Sequence, residues 1–208
     1  MRSKLIPPLL GYHVVGGGAA PAGPVTAIYD TFTDTDATLL INHTPDVCPV
    51  GAAWAKVNAS YNYAIAGNKC YGNAYSANTM HTIESGLSDC TITTQQILYY
   101  NGDVEYRIPW VIFRKSGATF WKVGANYNTG KIQLYNPGGT LEAEETWTDK
   151  KYTTQFDVVV TLNGTSISAV VDGITISATS ATNQAGTEHG LHIYNASSYV
   201  DSFKVETL

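Results

Sequence analysis

Glu142 and Glu144 are the carboxylates to which acid–base chemistry would be assigned first in this chain. Hydrolysis of a glycosidic bond with retention needs two carboxyl groups about 5 Å apart, and residues two apart on an extended strand supply that spacing. This pair, however, follows Asn136-Pro137-Gly138-Gly139 and has no apolar neighbours to raise one acid above the other, so a solvated loop is expected. Serine hydrolysis has no better footing, because no Gly-x-Ser-x-Gly elbow occurs. His189 and His192 project to opposite faces of a strand and make a poor metal pair. His13, His43 and His81 stand alone and read as polar loop residues. Asp30, Asp34 and Asp36 have the oxygen chemistry that calcium takes, yet such aspartates are ordinary in turns. No metal and no cofactor is expected.

Saccharide binding asks for different side chains. A sugar offers an apolar C–H face and a ring of hydroxyls, so its sites pair a Tyr or Trp face with amide or carboxylate partners. With 14 Tyr and 4 Trp the material is ample. Tyr61, Tyr63, Tyr71 and Tyr75 lie close to Asn62, Asn73 and Asn78, and Trp121 lies near Tyr127. These six aromatics are the candidate carbohydrate residues, set against the core and rim duties that any sandwich gives its aromatics.

The elements that must position them are strands. In Gln155 to Val205, residues Phe156, Val158, Val160 and Leu162 alternate, and Asn163-Gly164 supplies the positive φ angles of a tight hairpin. Ile167, Ala169 and Val171 alternate in turn and stop at Asp172-Gly173, before Ile174 and Ile176. After a polar loop come Gly190 to Tyr194 and Val200 to Val205, making five strands in all. Further strands are expected at Trp54 to Val57, Tyr63 to Ala66, Lys69 to Ala74, Thr91 to Tyr100, Thr119 to Ala125 and Lys131 to Tyr135. Trp110 to Arg114 has little polar relief and predicts a central strand covered on both faces. No segment has helical periodicity, and charged helix formers are scarce, since only 14% of residues are charged.

Net charge and cysteine usage narrow the function further. A net charge of −5 without any basic cluster argues against nucleic acid as a partner. No run of about 18 apolar residues exists to span a membrane as a helix. Cys48, Cys70 and Cys90 lack C-x-x-C spacing and are expected as free, partly buried thiols. Residues 1–27 read as an extended arm, with 28–208 as the globular domain. Leu5, Ile6, Pro7, Pro8, Leu9, Leu10 and Tyr12 are the arm's candidate partner contacts, because an apolar, Pro-bearing, Gly-rich segment cannot form its own core. Those prolines also interrupt any signal-peptide reading.

The order of strand, Asn-Gly turn, strand ending Val-Asp-Gly, strand, loop, Gly-Leu strand and Val200-Asp201-Ser202-Phe203-Lys204-Val205 resembles the concanavalin A-like lectin/glucanase superfamily, which includes laminin-G-like domains. Tyr29-Asp30-Thr31-Phe32 looks like that family's opening strand, and His43 to Asp46 with Gly51 to Trp54 resembles jelly-roll modules of bacteriophage structural proteins. The resemblance implies an all-β, antiparallel two-sheet jelly-roll sandwich. It implies no catalytic pair, for the Glu-x-Asp-x-x-Glu pattern of the family's glucanases is absent. The leading expectation is a non-enzymatic virion component, capsid decoration or tail, tethered to other virion proteins and to its own copies through the arm. The alternative is a glycan-binding adhesin, in the virion or extracellular, and a glycoside hydrolase is the remaining reading.

Overall fold

The computed structural model describes residues 23–49, 51–57, 61–72, 79–98, 109–148, 154–193 and 198–208. The arm contacts from Leu5 to Tyr12, together with His13 and Tyr75, lie outside the described residues.

In chain order the strands are β1 (Thr26–Asp30), β2 (Ala55–Lys56), β3 (Tyr63–Ile65), β4 (Cys70–Gly72), β5 (His81–Glu84), β6 (Cys90–Ile97), β7 (Pro109–Ser116) and β8 (Thr119–Asn126). They continue with β9 (Lys131–Tyr135), β10 (Leu141–Thr146), β11 (Gln155–Asn163), β12 (Ser166–Val171), β13 (Ile174–Thr179), β14 (Glu188–Ile193) and β15 (Tyr199–Glu206). The one helical element among the described residues is a 3₁₀ turn, Leu40–Asn42, which buries Leu40. These strands form two sheets. An eight-stranded sheet runs β13-β12-β11-β6-β15-β4-β3, with β1 added beside β15, and a seven-stranded sheet runs β10-β9-β8-β7-β14-β5-β2.

Hairpin chemistry sets the register of the first sheet. Gly164 (φ 54°), Asp172 (φ 50°) and Gly173 (φ 80°) occupy the left-handed conformations that two-residue turns demand. The flanking alternation then puts Val158, Val160, Ile167 and Ala169 inside. The second sheet answers with Val111, Phe113, Trp121, Val123, Ile132 and Leu134, and the two inner faces form one apolar core. Each fully buried Val, Leu, Ile or Phe stabilises the fold by about 1.5–3 kcal/mol before chain entropy is charged against it. Strand β7 sits fourth of seven, buried along Pro109 to Arg114, as its apolar run predicts.

Arg114 fastens one sheet to the other. A register shift after Phe113 and a φ of 48° turn its side chain inward, where the guanidinium is fully buried. It donates to the Gly164 carbonyl (2.7 Å) in the β11–β12 turn of the eight-stranded sheet, and to the Ser88 carbonyl (3.3 Å) and Asp89 Oδ1 (3.2 Å) in the link from β5 that leads into β6 of that sheet.

Two local expectations are corrected here. Glu142 to Glu145 is not a loop but lies within edge strand β10, whose backbone pairs on one side with β9 while its glutamate side chains stay exposed. An edge strand needs no apolar alternation, and charges there discourage pairing with another chain. Two of the histidines expected as polar loop residues are buried: His43 does sit in the loop after the 3₁₀ turn but is 5% exposed, and His81 lies in β5, fully buried. The three cysteines are free thiols, Cys48 half-buried and Cys70 and Cys90 buried.

Candidate functional site

Alternation along β7, β8 and β9 sends the residues between the core positions to the outer face of the seven-stranded sheet. Register aligns them into rows that cross the strands. One row runs Glu144, Gln133, Gly124 through paired strands β10, β9 and β8, and continues with Trp110 and His192 on β7 and β14. The next runs Tyr135, Lys122, Ile112, Gly190 and Thr82. Lys131 and Asn126 begin a third.

Aromatic and amide groups meet where these rows adjoin. The Trp110 indole lies against Gly124, where an added Cβ would stand 3.0 Å from its ring. Tyr135 meets Trp110 edge-on, with centroids 5.7 Å apart at 76°. The Lys122 ammonium stands over both rings, 4.8 Å from the Trp110 centroid and 4.9 Å from that of Tyr135. Trp110 is only 5% exposed yet belongs to no part of the inter-sheet core, so it serves the outer face. Beside this cluster runs an amide chain. Asn126 Nδ2 donates to Gln133 Oε1 (2.8 Å), the Tyr135 hydroxyl donates to the same oxygen (3.3 Å), and Gln133 Nε2 donates to Glu144 Oε2 (3.2 Å). Lys131 Nζ faces the other Glu144 oxygen at 3.7 Å. Burial lowers the pKa of Lys122, and burial, with the charge of Glu144 adding to it, raises that of Tyr135. Farther across the same face, a hollow of about 540 Å³ lies among Lys56, Met80, Thr82, Lys115 and Glu188, with Lys115 paired to Glu188 at 2.6 Å.

The aromatics named from sequence scatter. Tyr63 is fully buried, donating from its hydroxyl to the Thr79 carbonyl and accepting from the Ile193 amide. Trp121 is fully buried against Phe113 and donates its Nε1–H to the Thr182 carbonyl (2.9 Å). Neither has a face left for a sugar, so both are corrected to core residues. Tyr71 lies on the outer side of the opposite sheet, half-buried against Tyr199 at 5.1 Å, with Lys69 over the Tyr199 ring. Tyr61 is exposed ahead of β3, and Tyr127 is half-buried in the turn after β8. Of the sequence candidates only Tyr127 is next in sequence to a residue of this face, Asn126. Trp110, Lys122, Asn126, Gln133 and Tyr135 were missed, although Lys122-x-Gly124-x-Asn126 and Lys131-x-Gln133-x-Tyr135 already put polar and aromatic groups on one side of two consecutive strands.

Two other polar clusters have catalytic composition and structural geometry. Asp30 is fully buried, accepting from Phe32 N–H (2.7 Å), Trp54 Nε1–H (2.7 Å) and His43 Nε2 (2.9 Å). His43 Nδ1 faces Asp34 at 3.0 Å, and Asp36 accepts from Gly67 N–H (2.7 Å), so the three aspartates are spent on protein donors and do not converge on a cation. Desolvation works to depress the pKa of His43, but hydrogen bonds to Asp34 and Asp30 outweigh it and the net shift is upward. On the inner side of β14, Cys90 Sγ lies 3.6 Å from His189 Nε2. That nitrogen donates to the Leu87 carbonyl (2.8 Å) while Nδ1 accepts from Arg114 N–H (3.3 Å), so Nε2 already carries a proton and takes none from the thiol. Burial pushes Cys90 up to about 12 and His189 down to about 4, leaving both neutral.

No sequence-family model matches the chain, and no curated protein matches it by sequence. Solved structures do match by shape. A β-glucanase of Bacillus licheniformis is 11% identical, with a TM-score of 0.57 over 91% of this chain and 100% of that one. The exoplasmic/lumenal domain of VIP36 in a Ca2+/Man2-bound form is 9% identical, with a TM-score of 0.56 over 83% of this chain and 87% of that one. Carbohydrate binding module CBM66 from Bacillus subtilis is 15% identical, with a TM-score of 0.51 over 74% of this chain and 91% of that one. With its two antiparallel sheets and these neighbours, the chain has the jelly-roll fold of the concanavalin A-like lectins and glucanases.

Proposed function

We propose that the chain is a carbohydrate-binding module whose site is the outer face of the seven-stranded sheet. The observation that carries the reading is Tyr135, half-buried and backed edge-on by the buried Trp110, beside the amide and carboxylate row of Asn126, Gln133 and Glu144. That combination offers an apolar edge to sugar C–H groups and both donors and acceptors to their hydroxyls. Two of the solved neighbours, a carbohydrate binding module and a domain in a Man2-bound form, support it. The reading is of binding without hydrolysis. Glu144 is occupied by Gln133 and Lys131 and Glu142 by Asn136 Nδ2 at 2.5 Å, on an exposed edge strand rather than in a closed cleft.

A glycan array with the wild-type chain, followed by calorimetry on the best hit, tests this. Tyr135→Ala and Gln133→Ala are each expected to weaken binding at least tenfold, while Tyr71→Ala, on the opposite sheet, leaves it unchanged. Binding that ignores Tyr135 and Gln133 but disappears with Tyr71 would move the site to the other face, and silence across the array would remove the function.

A further inference from the structure

Lys122 is the outer-face group with an unmet electrostatic demand. Its ammonium is half-buried, and among the described residues no carboxylate pairs with it; its contacts are the faces of Trp110 and Tyr135. Ring quadrupoles recover only part of what taking an ammonium out of water costs. The nearest charged side chains of this face do not make up the difference. Glu144 faces Lys131 and Gln133, and Glu188, beyond the middle of the sheet, faces Lys115 and Thr82. Burial alone accounts for the lowered pKa of Lys122, with no charged neighbour contributing. An ammonium so placed, beside the half-buried Tyr135, is poised for an anion arriving from outside the chain, and an acidic sugar presents its anionic group next to C–H groups that can lie against such a ring.

We infer that the glycan bound at this face carries an anionic group, a carboxylate or a sulfate ester, which Lys122 receives while the half-buried Tyr135 lies beside the ring. The inference rests on the proposed carbohydrate function and names its ligand class. The sugar's charge completes the ion pair that the chain leaves open, and its hydroxyls fall toward Gln133 and Asn126 in the adjoining rows. A charge-assisted contact in a half-dry site adds more than a neutral one, and salt weakens it.

The test is calorimetry with the full chain and three probes: a glucuronate-containing oligosaccharide, its carboxyl-reduced neutral counterpart, and a sulfated oligosaccharide. Wild type is expected to bind one anionic probe at least tenfold more tightly than the neutral one, and the probe preferred tells carboxylate from sulfate. Lys122→Met, which keeps the buried stem, is expected to erase the preference. Lys122→Arg is expected to keep it, which guards against a variant that merely folds badly. Equal affinity of wild type for charged and neutral probes, sensitive to Tyr135→Ala, overturns the inference and leaves the carbohydrate function standing. No binding of any probe or array glycan overturns both.

Discussion

Asp30 shows what a single buried carboxylate does for this fold. Its two oxygens take three donors from three segments: the Phe32 amide, the Trp54 indole and the His43 ring. The Phe32 contact closes a side-chain-to-backbone turn that holds Phe32 at φ 52°, a conformation rarely adopted outside glycine, and so aims its ring at Trp54, 6.1 Å away. Trp54 in turn packs edge-on against Phe203 of β15 at 5.2 Å. One side chain thus fixes how the start of the domain meets its last strand. Asp30→Asn keeps the shape but turns one acceptor into a donor pointed at a donor, leaving a buried polar group unmatched. A loss of about 2–4 kcal/mol is expected, read as a lowered urea midpoint at unchanged slope. A cost below about 1 kcal/mol would mean that the three donors find other partners.

At the scale of elements, the seven-stranded sheet depends on how closely β14 approaches β5. A Cβ on Gly190 would be driven onto the His81 carbonyl oxygen and to 2.7 Å from Thr82 Cα, and backbone cannot swing aside as a side-chain tip can. Gly190→Ala is therefore expected to separate the two strands and cost about 3 kcal/mol or more, visible as lost thermal stability and faster amide exchange along β5 and β14. The glycine's place was legible beforehand only as a strand residue. Legibility followed the chemistry of each stretch. The segment β11 to β13 could be read because Asn163-Gly164 and Asp172-Gly173 fix register locally and alternation fixes the face. Strand β7 could be read because both its faces are covered. Strand β10 could not, since an edge strand of glutamates carries no burial signal, and neither could the place of His43, which depends on a carboxylate 13 residues away. The outer-face site was hidden for a related reason: its residues come from β7 to β10 and meet only once register is set. Tyr63 and Trp121 misled because an aromatic that ends in the core and one that ends on a face have the same local sequence.

The whole molecule carries these histidines as a pH response whose sign can be worked out. Burial lowers His81 and His189 to about 4, well under the ordinary 6.5, so the folded chain resists protons that the unfolded chain takes up. The stability they permit is complete above about pH 6.5 and is lost as pH falls toward 4, by about 3 kcal/mol for each site. His43 runs the other way: its raised pKa means that its contribution is complete below 6.5 and fades as pH rises through the folded value, so it does not relieve the acid loss. Asp34, lowered chiefly by its hydrogen bond to His43, adds a further loss below about 3.8. Stability is expected to peak close to neutrality and to fall steeply between pH 6 and 4. The two buried histidines differ in what else they do. His189 bridges Leu87 and Arg114, so replacing it costs hydrogen bonds at every pH. His81 lies tilted against Tyr63 with ring centroids 4.3 Å apart, and neither of its ring nitrogens has a hydrogen-bond partner among the described residues. His81→Phe keeps a ring of similar size against Tyr63 and removes only the titration. Urea unfolding should find it within about 1 kcal/mol of wild type at pH 7.5 and more stable than wild type at pH 4.5, with the acid slope reduced by about one proton. An unchanged slope would locate the acid sensitivity elsewhere, and a large loss at pH 7.5 would mean that the imidazole nitrogens are paired in solution.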